Sequence, residues 1–253
     1  MFTNERQENI VVLLEKKRRL SNAELLASLE ISPATLRRDL AELEGVGRVV
    51  RFHGGAVHPA YLKGEPTHEE KSKASRSEKR AIAAETAARI PDKATVFLDS
   101  GTTCLEVGRA LMSRGDLTIL ANSIAFAQMA RQAAARVICL GGEVRGVTGA
   151  LVGSLTLAWL ERMSADYAIL GASGLDDSGP STTELSESEI KRGLIAHART
   201  RILVADASKW ARASLIRFAD WRDFQFWITA GSVDRNTVST VNKAGPQVVR
   251  APM

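Results

Sequence analysis

Two sets of residues in this chain have the type and spacing to do chemistry. The first is the pair of guanidinium groups in the run Ser32-Pro33-Ala34-Thr35-Leu36-Arg37-Arg38-Asp39-Leu40. A guanidinium binds phosphate or grips guanine through two parallel N–H bonds, and small neighbours such as Ala34 and Ala41 let a helix approach a surface closely. The second set is polar and follows short apolar runs: Asp99-Ser100-Gly101-Thr102-Thr103, Asn122-Ser123, Gly141-Gly142-Glu143, Gly171-Ala172-Ser173-Gly174 and Asp206-Ala207-Ser208-Lys209. Glycine lets backbone come near a ligand, Asn122 and Asp206 can bind sugar hydroxyls, and Lys209 can neutralise a phosphate.

The elements that must carry the first set are readable from caps and periodicity. Ser32 is a good N-cap and Pro33 suits the first helical position, so a helix starts there. Leu36, Leu40 and Leu43 fall on one stripe, which leaves Ala34, Arg38 and Ala41 outward, flanked by Thr35 and Arg37. This reads as a recognition helix. Ahead of it, Ile10, Leu13 and Leu14 mark a helix ending near Lys16-Lys17-Arg18-Arg19, where bases complement the helix dipole and Arg18 or Arg19 can also meet phosphate. Ser21 with Glu24 forms a capping box for a second helix through Leu25, Leu26 and Leu29. Behind the recognition helix, Gly45 and Gly47 precede Arg48-Val49-Val50-Arg51-Phe52 and His53-Gly54-Gly55, a basic hairpin placed as a wing. The expectation is a winged helix-turn-helix over residues 1–56, with Ser32, Ala34, Thr35, Arg37, Arg38, Arg51, His53 and Gly54 as DNA contacts. Taken singly, adjacent arginines are also a solvated face and a double glycine is also a plain turn; order and spacing carry the reading.

Residues 57–77 lose periodicity, with His58-Pro59, Gly64-Glu65-Pro66 and a mixed charge run, and read as a linker whose last part turns helical toward Ile82, Thr86 and Ile90. Beyond it, strands are expected at 95–98, 117–120, 137–140, 167–170, 202–205 and 226–229, with helices including 103–112, 123–134 and 186–199. Short apolar strands alternating with helices predict an α/β fold with a mostly parallel sheet covered on both faces, and ligands then bind outside the carboxyl ends of the strands. Asp99 to Thr103 leads straight into a helix, whose free amides and partial positive charge make a phosphate cradle; the alternative is an N-capped turn that binds nothing. No Gly-x-x-x-x-Gly-Lys occurs, so nucleotide hydrolysis is not indicated, and Gly171 to Gly174 is too short for a dinucleotide fingerprint. Of Glu187, Glu189 and Lys191 at the next helix start, Glu189 suits the dipole and Glu187 is the better ligand candidate.

Composition sets the outer bounds. The 253 residues suit a small domain plus a larger one, and 45% hydrophobic content supports a sizeable core. The net charge of +5 is compatible with an anionic partner, yet acids nearly cancel bases over residues 1–56, so the DNA reading rests on clustering. Cys104 and Cys139 stand far apart with no Cys-x-x-Cys companion, which argues for reduced core thiols and against a disulfide framework or a metal site. The opening Met-Phe-Thr-Asn-Glu-Arg-Gln-Glu lacks an apolar signal region and no later run approaches about 20 apolar residues, so a cytoplasmic protein without a membrane partner is expected. No cofactor is expected.

Thr35-Leu36-Arg37-Arg38-Asp39-Leu40 followed by Arg51-Phe52-His53-Gly54-Gly55-Ala56 resembles the DNA-binding signature of the DeoR family of bacterial sugar-catabolism regulators. The downstream series is similar to that family's effector domain, whose Asp-x-Gly-Thr-Thr, Thr-Asn-Ser, Gly-Gly, Gly-x-x-Gly, Glu-x-Glu-x-Lys-Arg and Asp-x-Ser-Lys elements occur in the same order. The chain departs at Ser100, where alanine is common, at Ala121 before Asn122, and at Pro180-Ser181 after Gly179. The resemblance implies a sensor over 78–253 that is itself like ribose-5-phosphate isomerase, a phosphorylated sugar or polyol as effector, and a homo-oligomer, dimer or tetramer. Asp99, Ser100, Gly101, Thr102, Thr103, Asn122, Gly142, Gly171, Ser173, Gly174, Glu187, Asp206 and Lys209 are then the candidate effector residues. The expected function is a transcriptional regulator, a repressor released from operator double-stranded DNA by the effector, and not an enzyme. The rival is a sugar-phosphate isomerase with an accessory DNA-binding module, in which Glu187, Asp206 and Lys209 would supply base and electrophile.

Overall fold

The structure, a computed structural model, describes residues 3–17, 19–52, 54–57 and 66–253 of the chain. Its contacts divide into two units, residues 1–65 and 66–253, each with its own core.

The first unit runs α1 (Thr3–Lys17), β1 (Arg19–Ser21), α2 (Asn22–Leu29), α3 (Pro33–Gly45), β2 (Val50–Phe52) and β3 (Gly55–Val57). The Ser21–Glu24 capping box starts α2, and Glu30 ends it in the left-handed region at φ 52°. Ser32 caps α3, accepting from the Thr35 amide at 3.2 Å, with Pro33 in the first turn. Leu36, Leu40 and Leu43 pack with Ile10, Leu14 and Leu25 in the core, as the helical stripe predicts. β2 and β3 form the antiparallel wing hairpin, and β1, unassigned in the sequence reading, pairs with the other side of β3.

The second unit opens with α4 (His68–Lys73) and α5 (Arg76–Ala88). Of the expected linker over 57–77, residues 58–65 lie outside the described residues, Val57 ends β3, and 68–73 and 76–77 are helical. A Thr67–Glu70 capping box and a Glu69–Lys73 pair at i,i+4 supply the local reason. Then follow β4 (Thr95–Leu98), α6 (Thr102–Leu111), β5 (Thr118–Ala121), α7 (Ile124–Met129), β6 (Arg136–Cys139), β7 (Glu143–Arg145), β8 (Ala150–Val152), α8 (Ser154–Leu160) and β9 (Ala165–Leu170). The chain continues with β10 (Gly174–Asp176), β11 (Gly179–Thr182), α9 (Leu185–Ala196), β12 (Ala198–Val204), β13 (Ile216–Arg217), β14 (Phe226–Thr229), α10 (Arg235–Ala244) and β15 (Gln247–Arg250). Residues 198–199, expected to close a helix, instead open β12, because Ala198 pairs with Ala165.

Seven strands make one parallel sheet in the order β15-β14-β12-β9-β4-β5-β6. Alternation along each strand feeds two cores. Val96, Leu98, Ile169, Ile202 and Ile228 face one layer with Ile82 of α5 and Val107 of α6, while Phe97, Leu170, Leu203 and Trp227 face the other with Ile190 of α9 and Val241 of α10. Fully buried side chains such as Phe97 and Trp227 contribute about 1.5–3 kcal/mol each or more, so the sheet is a rigid base for what its strand ends carry.

Candidate DNA-reading face and effector site

On α3, Ala34, Arg37 and Arg38 are exposed on the side away from the leucine stripe. Ser32 and Thr35 are occupied at the helix start, their hydroxyls 2.8 Å apart. Arg51 is exposed on β2, its amide bonded to Glu44 at 3.0 Å and its guanidinium 3.6 Å from the same carboxylate. Gly54 turns the hairpin at φ 92°, and its carbonyl accepts from the Asn22 amide at 2.8 Å. His53 and Arg18 lie outside the described residues. Arg48, expected as one of the clustered bases of the basic hairpin, is paired within its own unit. Its guanidinium is held by both carboxylate oxygens of Glu8, so the pair is nearly neutral.

In the second unit, the chain moves from β4 outward to β5 and β6, then returns to the other side of β4 with β9, β12, β14 and β15. The reversal between β4 and β9 is a topological switch point, where crevices open at strand carboxyl ends. Asp99 follows β4 and Gly171 follows β9. The Gly171 amide donates to Asp99 Oδ2 at 3.0 Å, and Lys191 of α9 donates to that oxygen and, at 3.1 Å, to the Gly171 carbonyl. A Cβ on Gly171 would lie 3.8 Å from the Gly101 Cα, so the two loops pass close together above the buried Cys104. Asp99, Ser100 and Thr103 are buried; Gly101 caps α6 without a side chain, and Thr102 is partly exposed. At the end of β5, Asn122 is buried with its Nδ2 on the Leu151 carbonyl at 3.3 Å and its Oδ1 without a partner. Ser173 is tied to Ser181 through its amide.

Asp206 follows β12, two strands from Asp99 and so about 10 Å away along the same sheet edge. It is buried and receives the Ser208 amide at 3.0 Å. Burial pushes Lys209 below the ordinary lysine value; Asp206 opposes this, and Lys71 and Arg212 add to it. Lys79 is lowered in the same way, again by burial first, with Asp206 opposing and Lys209 adding, and its ammonium donates to the carbonyls of Lys71 and Ala74. Lys79 of α5 and Lys209 thus share one aspartate, with Lys71 of α4 and Arg212 adding positive charge around Lys209. Lys191 behaves oppositely: burial opposes its charge, yet Asp99 and Glu187 hold it above the ordinary value.

Several expected ligands have other occupations. The Gly142 hydrogen points where a Cβ would strike Thr156 Oγ1 at 2.0 Å, and a Cβ on Gly174 would meet the Arg212 carbonyl at 1.7 Å, so close packing requires both glycines. Glu187 is engaged by Arg145 at 2.9 Å, Thr148 at 2.6 Å and Thr182 at 3.3 Å. It fastens the β7–β8 hairpin to α9. Lys191, Arg145, Lys71 and Lys79 are absent from the residues chosen by sequence. A lysine four positions after Glu187 was the available signal for Lys191, since i,i+4 spacing puts both on one helix face.

A winged helix-turn-helix joined to a parallel-sheet unit with polar, partly cationic strand ends defines a DNA-binding regulator with a ligand-sensing domain. Residues 6–60 match the DeoR-like helix-turn-helix domain and residues 74–231 match the DeoR C terminal sensor domain. The chain is 35% identical over 250 residues to the HTH-type transcriptional regulator GlpR of Haloferax volcanii, covering 98% of each. It is also 35% identical over 219 residues to the glycerol-3-phosphate regulon repressor of Escherichia coli, covering 85% of this chain and 86% of that one. Among solved structures it is similar to ribose 5-phosphate isomerase A of Methanocaldococcus jannaschii, with a TM-score of 0.41, 15% identity, and coverage of 54% of this chain and 55% of that one. The chain belongs to the DeoR family of transcriptional regulators. Among the described residues, no helix is long and apolar enough to cross a membrane.

Proposed function

We propose that the protein is a cytoplasmic, homo-oligomeric repressor of carbohydrate catabolism or uptake genes, released from operator DNA by a phosphorylated sugar or polyol. The observation that carries the effector class is the pair of desolvated lysines, Lys79 and Lys209, that share Asp206, at the same sheet edge as the Asp99 to Thr103 loop. Desolvated cations near a helix N-terminus favour a phosphate. The buried Asn122 Oδ1 without a partner, at the end of β5, favours a polyhydroxyl body. About 10 Å between the Asp206 and Asp99 strand ends suits a small sugar phosphate. The mechanism is a population shift, in which the effector binds better to the form that holds DNA poorly.

The relative whose name carries glycerol 3-phosphate makes that polyol phosphate the first candidate. On the DNA side, Ala34, Arg37, Arg38, Arg51 and the Gly54 turn form the proposed contact surface. The isomerase reading is disfavoured because Glu187, its candidate base, is engaged by Arg145, Thr148 and Thr182. The test is an operator titration with glycerol 3-phosphate, other sugar phosphates and their dephosphorylated forms. Release by a phosphorylated compound alone is expected; equal release by the free polyol would overturn the effector class.

A further inference from the structure

Within Arg37-Arg38-Asp39-Leu40 the arginines are exposed, but Asp39 is 1% exposed and lies in the buried stripe between Leu36, Leu40 and Leu43. A carboxylate there is costly unless a cation meets it with good geometry. Arg6 of α1 does so fork to fork, Nε to Oδ2 at 2.5 Å and Nη2 to Oδ1 at 2.9 Å. The next two residues of α1 reach onward. Gln7 donates to Glu42 of α3 at 2.6 Å, and Glu8 receives Arg48 just before β2, one bond being 2.9 Å.

We propose that Asp39 is a positioning residue for DNA reading: its fork with Arg6 fixes the roll of α3 about its own axis and so aims Arg37 and Arg38. This rests on the reading of α3 as the DNA-contacting helix. The physical need is clear from helix geometry. Leucines packed in a core tolerate small rotations, whereas two parallel N–H···O bonds do not. With side chains at a radius of about 5–6 Å, a roll of about 10° shifts a guanidinium by about 1 Å. Bidentate contact to a base edge needs placement within about 0.5 Å. A leucine at 39 would fill the stripe more cheaply, so the buried pair is better explained by register than by stability.

The test uses the full chain and a duplex selected on the wild-type protein from a random pool, with an unselected duplex as the non-specific probe. Fluorescence anisotropy gives both affinities at several salt concentrations, and melting gives stability. In Arg6→Met with Asp39→Leu, melting should hold or rise. The ratio of selected to unselected affinity should fall about tenfold, with the unselected affinity and its salt slope unchanged. A purely structural role predicts an unchanged ratio in a stably folded variant, and that result would overturn the proposal. Should the double variant not fold, Arg6→Lys keeps the charge but not the fork. It should lower the ratio severalfold, and a wild-type ratio there would equally overturn the proposal. Arg37→Ala and Arg38→Ala separate the underlying reading. If they lower selected binding while the fork variants do not, DNA reading by α3 stands and the positioning role fails. If they change nothing, both fail.

Discussion

Each unit of this protein has a buried aspartate paired with a cation from a distant element, Asp39 with Arg6 and Asp99 with Lys191, and the two pairs are built differently. In the winged helix, Arg6 meets Asp39, 33 residues away in sequence, with a planar fork, and Glu42 adds to the charge that Arg6 faces. In the sensor, Lys191 meets Asp99 across 92 residues, shares its ammonium with the Gly171 carbonyl, and lies in the fields of Glu187 and Cys104. An arginine fork fixes direction, whereas a lysine is a rotatable point charge able to change partners. The first pair therefore suits a surface that must be presented in one orientation, and the second suits a site that must rearrange when a ligand arrives.

The largest effect should come from breaking the sensor pair. Lys191→Ala leaves Asp99 charged and buried, a loss of about 3–5 kcal/mol that thermal and urea melts of the full chain will register. Replacing both partners, as Lys191→Met with Asp99→Asn, should recover most of that stability while operator release by the effector is lost. A double variant that still responds would make this pair as structural as any other and erase the contrast.

Next in size is Lys209→Ala. Loss of a charge-assisted contact to phosphate, about 1.5–3 kcal/mol, should weaken effector binding about ten- to a hundredfold and leave operator affinity without effector unchanged. The measurement is built into the fold. Trp210, the adjacent residue, lies 5.8 Å from Trp227 and 6.1 Å from Trp221 between ring centroids, so tryptophan fluorescence should follow events at Lys209. Loss of DNA binding in this variant would count against the phosphate-cradle account.

On the DNA side the expected losses are smaller. Arg37→Ala and Arg38→Ala should each cost about 1–3 kcal/mol on the operator if the side chain meets a base, and a uniform loss on all DNA with a shallower salt slope if it meets phosphate. Melting should not change, because both side chains are exposed.

How far the sequence led follows the same division. Periodicity located six strands of the seven-stranded sheet, because each is a short apolar run between polar ends. It missed β15, where Gln247-Val248-Val249-Arg250 has only two apolar residues, and the short β7–β8 and β10–β11 hairpins. Glycine, hydroxyl and acid residues at strand ends marked the sheet edge that carries the proposed site. Burial of charge was not legible, since it depends on partners distant in sequence. Lys191 looks like a solvated helix residue until Asp99 is seen beside it, and Asp39 looks like a member of an exposed Arg-Arg-Asp cluster until Arg6 arrives from α1. Glu187 was singled out, but its role in holding Arg145 and Thr148 depends on a hairpin about 40 residues upstream.

The smallest expected effect distinguishes the two lysines of the sensor by pH. Lys191 is held above the ordinary lysine value, so the stability it contributes is present below that ordinary value and lost as pH rises through the raised one. Lys209 is held below it, chiefly by burial, with Lys71 and Arg212 adding and Asp206 opposing. Its charge is therefore disfavoured in the folded protein, and stability should recover as pH rises through its lowered pKa toward the unfolded value. A bound phosphate reverses that preference by stabilising the ammonium. Effector binding should then take up a fraction of a proton at alkaline pH, and affinity should fall as pH rises through the lowered pKa, by an amount on the order of tenfold or less. Calorimetry in two buffers of different ionisation enthalpy measures the proton, and Lys209→Ala should reduce the uptake, leaving any share that Lys79, lowered for the same reason, contributes. An uptake of the same size in the variant would assign the titration to Lys79 and remove Lys209 from the phosphate.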